Sequence, residues 1–419
     1  MHILFLTDNF PPEVNAPASR TFEHCREWVK AGHQVTVITC APNFPNGRVF
    51  KGYRNKFLQS EDMAGIHVIR VWSYITANEG FVKRIIDYIS FLPPATIASL
   101  FVRKPDIVIG TSPQFFTVCG AYIVSRLKRI PFVFELRDIW PESIKAVGAM
   151  DDSIAIRLLE KIEVFLYGKA SVIVSVTYSF KRRLIERGVC GDKIQVVTNG
   201  VDLSRFSLRP KNRDLLEKLG LEGDFVAGYI GTHGMAHHLE TILEAAVIAK
   251  LNKDRVRFLL LGNGASKMAL MDQAKHMELD NVLFIDSVPK EQVVQYWSLL
   301  DVSIIHLKKT ELFKAVIPSK LFECMAMGVP ILHGVAGESA DIVEDYKVGV
   351  VFKPENAQQL YRGVTKLQRN SEFYQSCRDH CLKSAENFDR SQLAARMLGI
   401  LEKQYVQFPN NTVPKDIQR

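Results

Sequence analysis

The chain has 419 residues and a net charge of +8, and 47% of its residues are hydrophobic, 23% charged and 10% aromatic. That mix excludes a disordered or fibrous protein, and the length suits two domains of about 150 residues or more rather than one. Residues 1–207 hold 26 of the 53 basic and 19 of the 45 acidic side chains, which puts +7 of the +8 in the first half. A basic half suits an anionic partner such as a phospholipid leaflet or a phosphorylated acceptor. Nucleic acid is disfavoured, because the basic residues form no long tract and no zinc-finger, RNP-like or basic-zipper spacing occurs.

From the N-terminus, an apolar run over 3–6 meets Asp8 at once, too soon for a signal-peptide core, and reads as a buried first strand. Further strands rich in Val, Ile and Phe are predicted over 34–39, 67–71, 107–109, 131–135 and 172–176, with helices over 20–31, 115–128 and 154–167 between them. Gly32 is placed to end the first helix. Segment 81–104 is apolar, with Lys83 and Arg84 at one end and Arg103 and Lys104 at the other, but Asp87 and Pro93-Pro94 interrupt it. Two readings stand: a kinked helix packed on the sheet, or a helix lying at a membrane interface. No segment reaches the roughly 18–20 apolar residues that span a bilayer. Asp151-Asp152 reads as a helix cap rather than a metal site.

A polar, charge-dense stretch over 205–223 reads as the linker and entry to the second domain, and the pattern then restarts. Strands are predicted over 225–230, 256–261, 282–285, 302–306, 330–332 and 349–352, with helices over 238–250, 292–299 and 320–327. The architecture is therefore α/β, two doubly wound Rossmann-like domains in tandem, whose ligands belong at the carboxyl ends of the strands. Gly262-Asn263-Gly264 fails as a dinucleotide fingerprint, because Lys267 stands where the last glycine belongs and the strand is the second of its domain. The seven cysteines (an odd count, with no C-x-x-C) argue against a disulfide framework or a structural zinc, and fit a reducing cytoplasm. No metal and no cofactor are expected.

The strongest local signal begins at Pro318-Ser319-Lys320 and runs through Glu323 to Gly328 and Pro330. Pro and Ser start helices and Gly with Pro stops them, so a short helix is framed here. Its first turn offers N–H groups and a positive dipole end to a phosphate, and Lys320 adds a full charge. Glu323 shares that face, where a carboxylate can bind a ribose diol.

This segment resembles the donor-site helix of glycosyltransferase family 4, retaining transferases of the GT-B fold with a motif near E-x7-E-A-M-A-x-G-x-P. Residues 2–7 with Pro11-Pro12, Gly32-His33-Gln34-Val35, Asn199-Gly200-Val201-Asp202 with Phe206, and 337–344 match other parts of that family in order. Arg137-Asp138-Ile139-Trp140-Pro141-Glu142 resembles the R-D-x-W-P variant of bacterial O-antigen, capsule and colanic-acid transferases.

The resemblance implies an N-terminal acceptor-side domain over 1–205, a donor domain over 206–387, and a C-terminal helix near 388–408 that packs back onto the first. It also implies front-face transfer of a sugar from a UDP-sugar to a lipid-linked saccharide in the cytoplasm, at the inner face of the membrane. Lys320 and Asp138 are the implied catalytic residues. Glu323, Ser319, Asn15, Gly231, Thr232, His237, Val288, Gly337 and Glu338 would hold the donor, and Arg20 an acceptor phosphate. Two departures matter: the family's first Glu falls at Ala315, and its Arg/Lys pair falls at Thr232 and His237. Lys320 then carries the leaving-group charge, with His233, His237 and His238 in reserve, and the missing carboxylate points to a deoxy or acetamido sugar. A UDP-sugar epimerase of the same fold and a non-catalytic scaffold on anionic lipid are the competing readings.

Overall fold

The computed structural model describes residues 1–44, 47–76, 81–140, 154–289 and 291–411. The Pro141-Glu142 end of the tryptophan motif and the Asp151-Asp152 cap lie outside them. The chain forms two compact units, one of Met1–Thr198 with Arg390–Arg419 and the other of Asn199–Asp389. The change-over thus falls at 198/199, and 205–223 lies within the second unit as its entry. Val201, Phe206 and Leu221 are buried in the core of the second unit, and a helix at Arg213–Lys218 is capped by Asn212. Val201 pairs with Asp389 just inside that unit, beside the return crossing.

In the first unit eight strands are hydrogen-bonded in the order β3-β4-β2-β1-β5-β6-β7-β8. They are β1 (His2–Leu6), β2 (Gln34–Cys40), β3 (Leu58–Met63), β4 (Ile66–Val71), β5 (Ile107–Thr111), β6 (Phe132–Leu136), β7 (Val172–Ser175) and β8 (Ile194–Val196). β1, β5 and β6 are buried along their whole length, which is why they read as unbroken apolar runs. β3 pairs antiparallel at the edge with alternating exposed and half-buried residues, and its sequence, Leu-Gln-Ser-Glu-Asp-Met, carries no strand signal.

The second unit has six strands, in the order β11-β10-β9-β12-β13-β14, every neighbouring pair parallel. These are β9 (Phe225–Ile230), β10 (Val256–Leu261), β11 (Val282–Ile285), β12 (Val302–His306), β13 (Ile331–Gly334) and β14 (Gly349–Val351). Helices connect the strands as the alternation predicts. Gly32 (φ 87°) follows the first helix, where the His33 amide donates back to the Trp28 carbonyl at 3.0 Å. Both prolines of the 81–104 segment sit inside one helix, Phe81–Phe101. Among the described residues no helix is long and apolar enough to cross a membrane.

The last helix, Arg390–Asn411, packs against Ala16–Lys30 in the first unit. Trp28 is fully buried in this contact and its indole N–H donates to the Ala394 carbonyl at 2.9 Å. Truncation to Trp28→Ala would leave a cavity and an orphaned carbonyl. We expect it to destabilise the N-terminal unit by about 3–5 kcal/mol, read as an earlier urea transition for that unit.

Candidate active site

The second unit gathers most of the sequence-predicted residues at the carboxyl end of β9. Gly231 follows that strand with φ 150°, and an added Cβ there would lie 2.6 Å from the Lys320 Nζ. The missing side chain leaves the space through which the lysine reaches the sheet. Its ammonium lies 3.8 Å from the centroid of the Tyr229 ring, a cation–π contact worth ~2 kcal/mol when desolvated. Burial lowers the amine to about pKa 8, although Glu323 nearby favours its charged form. The lysine is half-buried, so it is held in place yet reachable.

Helix Lys320–Met327 begins without a side-chain cap, because Ser319 already has helical backbone angles and its side chain makes no capping bond. The cap role read for Ser319 is therefore absent. The α-helix ends as expected at Gly328 in the left-handed region. Glu323 lies in the first turn, half-buried.

The loop after β9 is held by β10 and β11. Gly262 and Gly264 have no room for a Cβ: one would fall 1.8 Å from the Gly231 carbonyl oxygen and the other 2.4 Å from that of His233. These glycines serve loop-to-loop packing. Lys267 ties the same loops by donating to the Gly262 and Ile285 carbonyls, at 2.9 and 3.2 Å, and to Asp286 at 2.6 Å. Tyr229 donates its hydroxyl to the Thr232 carbonyl at 2.8 Å, while the Thr232 side chain is exposed.

Three histidines lie near this end of β9. His233 is buried with neither ring nitrogen hydrogen-bonded, and burial with the nearby Lys267 and Lys320 charges lowers it to about 4. His237 stacks edge-on to Tyr229 and is lowered to about 4 by burial and Lys320. Both are neutral at pH 7. His306 donates through Nδ1 to the His237 carbonyl at 2.8 Å and accepts the Glu355 amide at Nε2, which fixes its tautomer and the loop. Sequence reading missed Tyr229 and His306, whose roles depend on contacts 91 and 69 positions distant along the chain, from Tyr229 to Lys320 and from His306 to His237.

Gly337 (φ 87°) passes so close to Lys314 that a Cβ would be 2.1 Å from its carbonyl oxygen. It leads into helix Glu338–Asp345, where Glu338 is buried and Ser339 pairs with His333 at 2.9 Å. Val288 is half-buried against the core of the unit. Ala315 is buried in a short turn at Leu312–Ala315. Glu311 does not replace the missing carboxylate: it is exposed and pairs with Lys314 at 2.7 Å.

The first unit treats its expected residues differently. Asn15 caps helix Ala16–Lys30 by accepting the Ala18 amide at 2.9 Å. Arg20 is corrected from an acceptor contact to an internal clamp. Its buried guanidinium donates to Glu135 at 2.9 Å and to the Val197 and Thr198 carbonyls at 3.1 and 2.9 Å. Burial alone would raise the Glu135 carboxyl, but Arg20 and Arg137 outweigh it and hold it low. Asp138 follows β6, half-buried, with its backbone held by the Ser112 hydroxyl. Among the described residues no group of three His, Cys, Asp or Glu could hold a metal, and all seven cysteines are free.

Residues 18–205 match the model of Glycosyltransferase Family 4 and residues 212–383 that of Glycosyl transferases group 1. The chain is a glycosyltransferase, with a family 4 domain followed by a group 1 domain. It is 26% identical to the putative colanic acid biosynthesis glycosyl transferase WcaI of Escherichia coli over 378 residues, 87% of this chain and 91% of that one. It is 22% identical to a GDP-mannose-dependent alpha-mannosyltransferase of Mycolicibacterium smegmatis, over 84% of each chain. Among solved structures, Anabaena HepE in complex with UDP superposes with a TM-score of 0.71 at 15% identity, covering 96% of this chain and 100% of that one. The fold of this transferase is GT-B.

The Lys320 amine should titrate near pH 8, measured by NMR after isotopic methylation of the lysines. Gly231→Ala should push it off the Tyr229 ring and return it towards the ordinary value near 10.4; a titration that Gly231→Ala leaves at 8 would contradict the geometry.

Proposed function

We propose that this glycosyltransferase moves a sugar from a UDP-sugar to a lipid-linked saccharide, with retention, during assembly of a bacterial surface polysaccharide such as O-antigen or capsule. The observation that carries the reading is the Lys320 ammonium held over Gly231 at the end of β9. A fixed cation in the first turn of a helix is what a leaving diphosphate needs, since its charge grows as the glycosidic bond breaks. The polysaccharide role draws on the relative named for colanic acid biosynthesis, and the uridine base on the UDP complex of HepE.

In this reading Lys320 and the Gly231–Thr232 and Gly337–Glu338 backbones meet the diphosphate. Glu323 binds the ribose diol, Val288 lines the base, and Ser319 and His237 supply polar contacts. Asp138 is assigned to the sugar. The reaction breaks the C1–O bond of the donor and forms one from C1 to the acceptor oxygen on the same face, with the acceptor proton leaving to solvent or phosphate. Ala315 removes the carboxylate that relatives place by the hexose, so the transferred sugar is a deoxy or acetamido sugar. The enzyme works in the cytoplasm on acceptor held at the inner membrane surface.

Lys320→Met should lower kcat by about 10²–10³-fold with an unchanged melting temperature; near-normal turnover would remove Lys320 from the mechanism. UDP affinity should be flat between the second phosphate pKa of about 6 and pH 8. Above it the affinity should fall by up to about tenfold per unit, because the depressed lysine loses its charge as pH rises through its pKa. A thermal-shift screen of donors should favour UDP-deoxy or UDP-acetamido sugars. A larger shift from UDP-glucose, UDP-galactose or a GDP-sugar would overturn the donor assignment, and conversion of donor without UDP release would indicate an epimerase.

A further inference from the structure

A solvent-facing helix ordinarily exposes a polar stripe, and three helices of the first unit depart from that pattern. On helix Ala357–Arg369 the exposed positions are Gln358, Arg362, Lys366 and Arg369, a polar stripe at helical spacing. On helix Phe81–Phe101 the exposed stripe at the same spacing is Ile86, Ile89, Pro93, Ile97 and Leu100, ending in Phe101 at 84% exposure. Its opposite face is apolar too, with Phe91, Ala95 and Ala98 buried. This helix therefore turns apolar side chains outward as well as inward.

Its neighbours extend the surface. Helix Phe115–Lys128 packs against it and exposes Ile123 and Leu127, and Lys128 bridges the two helices by donating to the Leu100 and Val102 carbonyls. Helix Ile154–Lys169 comes next, through the edge-on contact of Tyr122 with Phe165 at 5.4 Å, and exposes Ile154, Leu158 and Phe165. The exposed charges on these helices have one sign. They are Lys83, Arg126, Arg157, Lys161 and Lys169, with Arg103 and Lys104 just beyond the first helix, and no described carboxylate there is exposed.

We propose that the outer face of these three helices is the surface on which the enzyme lies on an anionic lipid bilayer. An apolar stripe with a purely basic fringe matches both layers of such an interface, hydrocarbon below the headgroups and negative charge among them. A second copy of the chain fits poorly, because a two-fold contact would set the same basic fringe against itself. The proposal deepens the assignment of a lipid-linked acceptor, since a bilayer-bound enzyme meets its acceptor on the surface where that acceptor is anchored.

The test is co-sedimentation of the full chain with phosphatidylcholine vesicles, with and without phosphatidylglycerol. Binding should require the anionic lipid and weaken with salt. Leu100→Glu and Phe101→Glu, both at exposed positions, should each reduce it by about tenfold or more, and Lys83→Gln, Arg103→Gln and Lys104→Gln by about fivefold each. Leu251→Glu, equally exposed but in the other unit, should change nothing, and the melting shift given by UDP should be the same in every variant. Wild-type indifference to anionic vesicles, or full binding by the Leu100 and Phe101 variants, would overturn the proposal. So would a wild-type dimer in solution that these two variants abolish. Vesicle binding as described, with transfer only to water-soluble acceptors, would instead overturn the lipid-linked acceptor and leave the surface standing.

Discussion

A lysine ammonium can lie on the face of a buried tyrosine only if the chain beneath it has no side chain, and Gly231 meets that condition at the end of β9. Much of the second unit around this point serves to keep that approach open. Gly262 and Gly264 let the next loop press against the backbone of residues 231–233, and Lys267 spends its three donors fastening that loop to β11. The two lysines are close in space and opposite in use. Lys267 is saturated by carbonyls and Asp286, whereas Lys320 faces an aromatic ring and keeps its hydrogen-bonding capacity for a ligand. A desolvated cation with its donors unspent is what an anion site requires.

The histidines around this lysine show how the absence of the family's basic pair is accommodated. His233 and His237 occupy the neighbourhood as neutral rings, because a second or third positive charge beside Lys320 would have to be buried unpaired. Positive charge is thereby concentrated in one residue. The N-terminal unit handles buried charge in the opposite way, closing Arg20 onto Glu135 and two carbonyls so that the pair organises the strand ends. Arg70 is buried likewise, closed onto Glu61 and the Cys40 and Pro11 carbonyls, while the exposed basic side chains on the three apolar helices form a fringe of uniform sign. In the proposed reading, chemistry and surface attachment fall to different units of one chain.

The fold was legible in the sequence to the extent that it depends on local pattern. Buried parallel strands announce themselves as apolar runs, helix ends as Gly32 and Gly328, and the Lys320–Glu323 turn as a framed helix start. β3 escaped because an edge strand with alternating exposure needs no apolar run, and the polar composition of 205–223 hides the few residues, Phe206 and Leu221, that anchor it in a core. The sequence by itself determined the two α/β domains and the glycosyltransferase family, and it singled out Lys320 and Glu323 as the residues to propose for the donor site. Only the tertiary structure decided that Arg20 is a clamp, that Asn15 is a cap, that Tyr229 seats Lys320, and that one layer of helices turns its apolar residues to the outside. All but the Asn15 cap, which closes on Ala18 three residues along, depend on which atoms meet across long stretches of chain, and a linear pattern does not encode whether an apolar stripe faces the core or the solvent.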